Sequence, residues 1–143
     1  MGKINWKKVL LGGIVAGIII DIIEGVFEGI ILGPQWRQAM QALGHPLQET
    51  GGQMVLHVLL GLAYGLSAIW LYAAIRPRYG AGPTTALYAG LSVWLIGYLL
   101  PSLNWGSRGL FPGHLVAIAA LVGLVEIVLA TEAGAWLYQE EGS

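Results

Sequence analysis

The sequence predicts an all-α integral membrane protein, a four-helix bundle that forms a single transmembrane domain over residues 1–143. Three observations lead to this prediction. Apolar residues make up 56% of the chain and charged residues 10%, whereas roughly a quarter of the residues in a soluble domain are charged. The apolar residues gather in four stretches, each near the ~20 residues that a helix needs to cross a hydrocarbon core. The chain also contains 22 glycines, roughly twice the average usage.

Four membrane-spanning helices are predicted, over about residues 9–32, 53–75, 84–100 and 112–136. The first apolar run is longer than the apolar core of a signal peptide, so we expect it to be a spanning helix. Because proline lacks the N–H that continues a helix, Pro34, Pro77 and Pro101 are expected to lie where helices end. Every span is expected to be helical, since hydrocarbon offers an open backbone no hydrogen-bond partners.

The loop between the first two spans is predicted to contain a short amphipathic helix, over about residues 34–43. Pro34 suits the first turn of a helix, and Trp36, Met40 and Leu43 follow it at i, i+4, i+7 spacing. A helix of this kind buries its apolar face at the boundary between headgroups and acyl chains. We therefore expect it to lie on the membrane surface.

The distribution of Lys and Arg predicts the orientation of the spans. Five of these residues flank one side and two flank the other, namely Lys3, Lys7, Lys8, Arg76 and Arg78 against Arg37 and Arg108. Because positive residues accumulate in cytoplasmic loops, both termini are predicted to lie in the cytoplasm. The expected location is a bacterial inner membrane.

Charge and composition exclude several classes of function. The formal net charge of −1 provides no basic surface for nucleic acid, so that partner is not expected. The chain has no cysteine, which excludes disulfides, thiolate metal ligands and a thiol nucleophile. No nucleophile–base pattern is visible in the sequence, so an enzyme is not the expected function.

Glycine spacing indicates how the helices associate in the lipid bilayer. Pairs four residues apart, such as Gly13/Gly17 and Gly61/Gly65, allow transmembrane helices to approach closely. Four helices are few to enclose a pathway, so a homodimer or higher homo-oligomer built on glycine faces is expected. Membership of a larger membrane complex is the alternative.

Four of the acidic residues within the predicted spans, where charge is costly, form the candidate site. Asp21, Glu24 and Glu28 fall within a sector of about 60° on the first helix at 100° per residue. Glu126 lies near the middle of the fourth helix, at a depth close to that of Asp21. No Lys or Arg lies inside a predicted span. Ionisable residues inside a membrane are functional by default, so these four are the candidate proton or cation site.

Two histidines lie near the outer ends of their predicted helices. His57 and His114 are expected at roughly the depth of Glu28. Two imidazoles and a carboxylate at one level could hold a divalent metal, and paired histidines could be axial haem ligands. A proton relay with Glu28 and Glu24 is a third hypothesis. The fourth is that each histidine only meets the polar headgroup boundary.

Three aromatic residues are candidates for lining a ligand site. Tyr64 follows His57 at i+7 on the second helix, and Trp94 and Tyr98 lie deep in the third. Aromatic faces beside an acidic residue suit a cationic, lipophilic guest. Filling of the helix core is the other interpretation.

Three segments carry a resemblance to known proteins: Leu11-Gly12-Gly13-Ile14-Val15-Ala16-Gly17 through Glu24, Trp70-Leu71-Tyr72-Ala73-Ala74-Ile75-Arg76-Pro77-Arg78, and Gly97-Tyr98-Leu99-Leu100-Pro101. They resemble small bacterial four-helix membrane proteins of unassigned function, a resemblance that implies topology but no activity. A membrane-embedded Glu in the first of four short helices is similar, more loosely, to small multidrug-resistance transporters. The aromatic and glycine motifs of those transporters are not evident here, and the acids lie deeper along the helix.

The best functional hypothesis is a proton- or cation-coupled transporter or ion-pathway component. Glu24 and Asp21 would be the coupling carboxylates, with Glu126 opposite them and Glu28 at the outer mouth. One alternative is a membrane anchor or subunit that binds haem, metal or quinone through His57 and His114. The other is a structural accessory subunit whose acids only pair helices.

Overall fold

A computed structural model describes residues 3–140, and all regular secondary structure in that range is helical. The α-helices of the described residues are α1 (Trp6–Glu24), α2 (Gly33–Ala42), α3 (Gly51–Tyr79), α4 (Pro83–Trp94), α5 (Leu100–Ser107) and α6 (Gly113–Trp136). A first π-helical segment (Gly25–Ile31) continues α1, and a second (Leu95–Leu99) joins α4 to α5. In the described residues, four helical stretches are long and apolar enough to cross a membrane: Trp6–Ile31, Gly51–Tyr79, Pro83–Ser107 and Gly113–Trp136. The prediction of an all-helical protein with four spans is therefore confirmed.

Two helices continue past the prolines at which the sequence predicts that they stop. Pro77 lies inside α3, which runs on to Tyr79, so the helix loses a hydrogen bond only in its last turn. The third span continues through Pro101 to Ser107. Pro101 is the second residue of α5, but the preceding π-helical segment makes the helix continuous there. Its missing N–H therefore leaves a carbonyl of that segment without its usual partner.

Close glycine contacts set the antiparallel packing of the first two spans. α1 packs against α3 and α6, and α4 packs against α6 and α3. A Cβ on Gly13 would lie 2.6 Å from Leu66 Cδ2, and one on Gly17 would lie 2.6 Å from Leu62 Cα. Such distances leave no room for a side chain. These glycines therefore pack helices within the chain, as small residues do in membranes.

The helices are densely packed in one half of the molecule, at the end where the first and last described residues meet. The Asn5 N–H donates to the Tyr138 hydroxyl, 3.2 Å away, at this end, which we call the terminal end. The core beside it contains fully buried apolar side chains from three spans, including Ile20, Ile69 and Ile127. Interiors packed in this way contain few voids larger than a water molecule.

Tyr72 and Tyr138 belong to this core, although their positions in the sequence are typical of interfacial aromatics. Both side chains are buried, and their rings pack edge to face with centroids 5.8 Å apart. Trp6 and Trp136, by contrast, are exposed, as expected of tryptophans at a membrane interface.

The short helix α2 lies across the opposite end of the molecule, which we call the loop end. Trp36 packs edge to face against Phe111, with ring centroids 5.5 Å apart. Leu32, Ala39 and Leu115 are buried in the same small cluster. α2 therefore connects the end of the first span to the start of α6.

The helices separate towards the loop end. Residues 51–60, the first part of α3, are all exposed, whereas α3 is packed from Gly61 onward. The separation leaves space between α3 and its neighbours at the loop end, and that space contains the candidate site.

Candidate functional site

A cavity of about 930 Å³ occupies the loop-end half of the molecule and opens to its surface. Its walls come from the end of α1, from both π-helical segments, from α2, α3 and α5, and from α6 between Ala119 and Glu126. Five carboxyl side chains line it: those of Asp21, Glu24, Glu28 and Glu126, and that of Glu49 in the loop after α2. The structure therefore brings together the four intramembrane acids that the sequence singles out.

Asp21 and Glu24 occupy the wall contributed by α1. The Asp21 carboxyl occupies the space that a side chain at position 61 would need, so Gly61 allows the acid to lie directly against α3. The Glu24 carboxyl is close enough to the His57 imidazole for electrostatic attraction. Asp21 therefore lies against Gly61 of α3, and Glu24 lies near His57 of the same helix.

Glu28 lies in the first π-helical segment and connects it to α2. The Trp36 indole Nε1 donates a hydrogen bond of 2.5 Å to Glu28 Oε2. Indole has a single N–H and no acceptor, so this bond uses the full hydrogen-bonding capacity of Trp36. The contact holds α2 beside the mouth of the cavity.

Glu126 is the most buried of the four acids, with 2% of its surface exposed. Its side-chain hydrogen-bonding partner is the Tyr98 hydroxyl, and its carboxyl also interacts electrostatically with Glu24, Glu28 and Asp21. The Tyr98 ring can reach it because Gly123 leaves room for the ring against α6. One phenol leaves most of the acceptor capacity of a carboxylate unused.

Both π-helical segments lie in the cavity wall. Gly25, Glu28 and Gly29 come from the first, and Gly97 and Tyr98 come from the second. π-helical turns are rare and are frequent at functional sites. Two such segments, on two separate spans, therefore make this cavity the candidate functional site.

The second π-helical segment has an identifiable local cause. Pro101 has no N–H to bond the carbonyl four residues earlier, which is that of Gly97. The Tyr64 hydroxyl donates to this carbonyl instead, at 3.1 Å. The Tyr64 ring fits there because a Cβ on Gly97 would lie 2.5 Å from Tyr64 Cε1, so a residue larger than glycine would displace it.

Carboxyl groups dominate the deep part of the cavity. Arg37 is the one Lys or Arg that the described residues place in its wall. It lies towards α2, with Nη1 3.9 Å from Glu49 Oε1. When they are ionised, the carboxyl groups of Asp21, Glu24, Glu28 and Glu126 repel one another unless cations or water compensate their charge, and protonation removes the repulsion. The arrangement therefore favours binding of positive charge.

The cavity does not continue through the packed core, but a second cavity lies near the terminal end. Its volume is about 270 Å³, and its lining includes Tyr72, Pro83, Glu132 and Trp136. Among residues 3–140, Glu132 has neither a hydrogen bond nor an ion pair. The core between the two cavities includes Ile127 and Thr131, neither of which is exposed.

The structure separates the two histidines that the sequence places at one depth. His57 lines the cavity, whereas His114 is exposed on α6 outside the cavity wall. In the described part of the chain, no group of three or more His, Asp or Glu side chains is arranged to hold a metal ion. The geometry thus offers no support for a shared ligand set of Glu28, His57 and His114.

The three candidate aromatic residues have different environments. Tyr98 lines the cavity, and Tyr64 packs against it outside the wall, with ring centroids 5.1 Å apart. Trp94 also lies outside the wall, and its Nε1 donates to the Ala120 carbonyl oxygen, 2.8 Å away. Trp94 therefore connects two spans, and Tyr98 is the member of the set that a ligand could touch.

Sequence reasoning missed two residues of interest. Trp36 was expected to anchor α2 at the membrane surface, but it also donates to Glu28. Glu132 was not singled out, although it is a second acid within the last span. Its position in an apolar helix was the available signal, because charged residues in such helices are costly.

Comparison of the chain with protein-family models, with curated proteins and with solved structures finds no match. The function is therefore inferred from the geometry of the cavity and from the chemistry of the residues that line it.

Proposed function

We propose that this protein is a small transporter or ion-pathway component that moves a proton or another cation by means of its intramembrane carboxylates. The observation that carries the proposal is the shared cavity, in which carboxyl groups from α1 and α6 face one another. Asp21 and Glu24 accept and release the cation, Glu126 binds it from the opposite wall, and Glu28 lies nearer the mouth. Acids in such positions mark proton and ion pathways in membranes.

The closed core supports a cycle in which the site opens to one side at a time. The cavity is open at the loop end, while tight glycine contacts close the terminal end. A Cβ on Gly12 would lie 2.5 Å from the Gly134 carbonyl oxygen. Transporters commonly alternate access by movement of helices around a fixed binding site. The exposed first part of α3 and the two π-helical segments are the elements that would move.

The proposal includes an orientation in the membrane, supported by the charges that flank the spans, and a homodimer. With both termini in the cytoplasm of a bacterial cell, the cavity opens to the outer side of the inner membrane. Gly25 and Gly29 have open space where a side chain would lie, in contrast to the glycines that pack helices within the chain. Because both glycines line the cavity, the open space beside them belongs to the cavity. The homodimer that we propose, because four helices are few to enclose a pathway, would use another face.

A proton-flux assay in proteoliposomes tests the proposal. The purified protein is reconstituted around a pH-sensitive dye, and a proton gradient is imposed with and without Na⁺ or K⁺ in the buffer. Wild-type protein should accelerate proton entry or cation exchange, and Glu24→Gln should remove most of the acceleration. Glu140→Gln is the matched control, because this residue lies beside Arg76 at the terminal end, away from the cavity.

The result that would overturn the proposal is equal flux through wild-type and Glu24→Gln protein at equal reconstitution. The buffer series separates protons from other cations. Flux that persists when an impermeant organic cation replaces Na⁺ and K⁺ is carried by protons.

A further inference from the structure

The cavity is much larger than a proton or a single metal ion requires. Its volume is about 930 Å³, whereas a water molecule occupies about 30 Å³ in the liquid. Pockets that bind small organic molecules measure about 300–1,000 Å³. The cavity therefore has the size of a site for an organic ligand.

Its lining combines two kinds of chemistry. Carboxyl groups occupy the deep wall. The rest of the lining combines polar side chains, among them Arg37, Glu49 and Gln53, with apolar or aromatic ones, including Met40, Met54, Trp105 and Phe111. Aromatic faces attract organic cations, most strongly when the site excludes water. A ligand that matches both parts has a positively charged head and an apolar body.

One buried acid shows where the charged head would lie. Glu126 faces the cavity with 2% of its surface exposed, and among the described residues its side-chain hydrogen-bonding partner is Tyr98 alone. A buried carboxylate requires further hydrogen bonds or a counter-charge. An ammonium group between Glu126 and Glu24 would provide both.

One element of the cavity wall, α3, also carries exposed apolar side chains that suit contact with lipid. Residues 51–60 of α3 are exposed, and their apolar side chains include Met54, Val55 and Leu56. Gly25 and Gly29 of the first π-helical segment and Met54 and Val58 of α3 line the cavity between these two elements. Within a membrane, a gap of this kind admits a molecule from the lipid as well as from water.

We propose that the cavity binds the ammonium head of an amphiphile, with the apolar body lying between the first π-helical segment and the first part of α3. This inference rests on the proposed function and names the substrate class of that same site. The ammonium group can come from two sources, an aminophospholipid of the bilayer or a free organic cation. In both cases the recognised chemistry is a positively charged nitrogen attached to an apolar chain.

Native mass spectrometry of the full chain released from nanodiscs tests the inference. The probes are decyltrimethylammonium and decyl sulfate, which share a chain length and carry opposite charges. The expected result is one bound decyltrimethylammonium and no bound decyl sulfate. The double variant Glu24→Gln/Glu126→Gln should weaken binding by roughly tenfold or more, and Glu140→Gln should not change it.

Nanodiscs of phosphatidylethanolamine or of phosphatidylglycerol distinguish the two sources. A retained phosphatidylethanolamine that decyltrimethylammonium displaces would identify a bilayer lipid as the ligand. Binding of decyltrimethylammonium without any retained lipid would identify a free organic cation. Tetramethylammonium should bind more weakly than decyltrimethylammonium, because it lacks the apolar chain.

Equal binding of the two decyl probes to wild-type protein would overturn the inference, and this comparison does not depend on the folding of any variant. Its failure is distinguishable from failure of the proposed function. Flux that depends on Glu24, together with equal binding of the two probes, removes the ligand class and leaves the transporter. Selective ammonium binding without flux retains the ligand site and removes the transport.

Discussion

Trp36 Nε1 donates a hydrogen bond of 2.5 Å to Glu28 Oε2 and so ties α2 to the first π-helical segment. Because the donor comes from α2 and the acceptor from a membrane-spanning segment, the bond joins the surface helix to the acid-lined cavity. It also places an aromatic ring directly against one of the four intramembrane acids. The position of α2 at the mouth therefore depends on the side chain of Glu28.

Trp36→Phe should loosen α2 without unfolding the spans. The phenyl ring keeps the packing against Phe111, but the donor to Glu28 is lost, which costs about 1–3 kcal/mol when the acceptor is left unpaired. Hydrogen–deuterium exchange in nanodiscs should show faster exchange in α2. Trp6→Phe, an exposed tryptophan at the terminal end, should leave exchange in α2 unchanged. Exchange of α2 at the wild-type rate in Trp36→Phe would contradict the assigned role of the bond.

Tyr64 and Pro101 should be coupled through the Gly97 carbonyl. Tyr64→Phe removes the hydroxyl that bonds this carbonyl, and the expected loss of stability is about 1 kcal/mol. Pro101→Ala supplies a backbone N–H that can bond the same carbonyl, so Tyr64→Phe should cost less in the Pro101→Ala background. Unfolding by SDS of the four proteins in a double-mutant cycle measures the coupling. Additive losses would show that the two residues act independently.

Alanine substitution should distinguish glycines that contact other helices from glycines that face open space. Gly61→Ala places a methyl group where the Asp21 carboxyl lies, and overpacking of this kind costs about 1–3 kcal/mol. Gly25→Ala meets nothing within 4 Å and should be neutral or slightly stabilising, because alanine favours a helix more than glycine does. Unfolding by SDS provides the comparison. Equal stability of the two variants would contradict the contact between Asp21 and α3.

Glu132→Gln should slow transport without weakening binding in the larger cavity. Glu132 lines the second cavity, on the other side of the packed core, so it would act when the cation leaves towards the terminal end. The flux assay should show a reduced rate, while decyltrimethylammonium should bind as it does to wild-type protein. A wild-type rate of flux would show that the cation does not pass Glu132.

Individual residues show how far sequence reasoning reaches at this site. The spacing of Asp21, Glu24 and Glu28 predicts that they share one face of a helix, and in the structure all three line one cavity. The predicted common depth of His57 and His114 did not place them in one site, because the helices separate at the loop end. His57 faces Glu24 across that space, and His114 lies outside the cavity wall.

The end of the third span shows a second kind of feature that the sequence does not predict. Proline is a sound signal for a helix end, because it removes a hydrogen bond. At Pro101 the signal failed, since a hydroxyl from another span satisfies the freed Gly97 carbonyl. A partner so distant in the sequence, Tyr64, cannot be inferred from local pattern.

The sequence by itself determined that the chain is helical and has four apolar spans, because hydrocarbon leaves each span to satisfy its own backbone. It also determined that acids lie within those spans, since apolar length and charge can be read directly. Only the tertiary structure decided that the acids share a cavity, that the core closes it at one end, and that Glu132 lies beyond that core. Those features depend on helix separation, on π-helical turns and on glycine contacts between distant segments, which arise only when the helices pack.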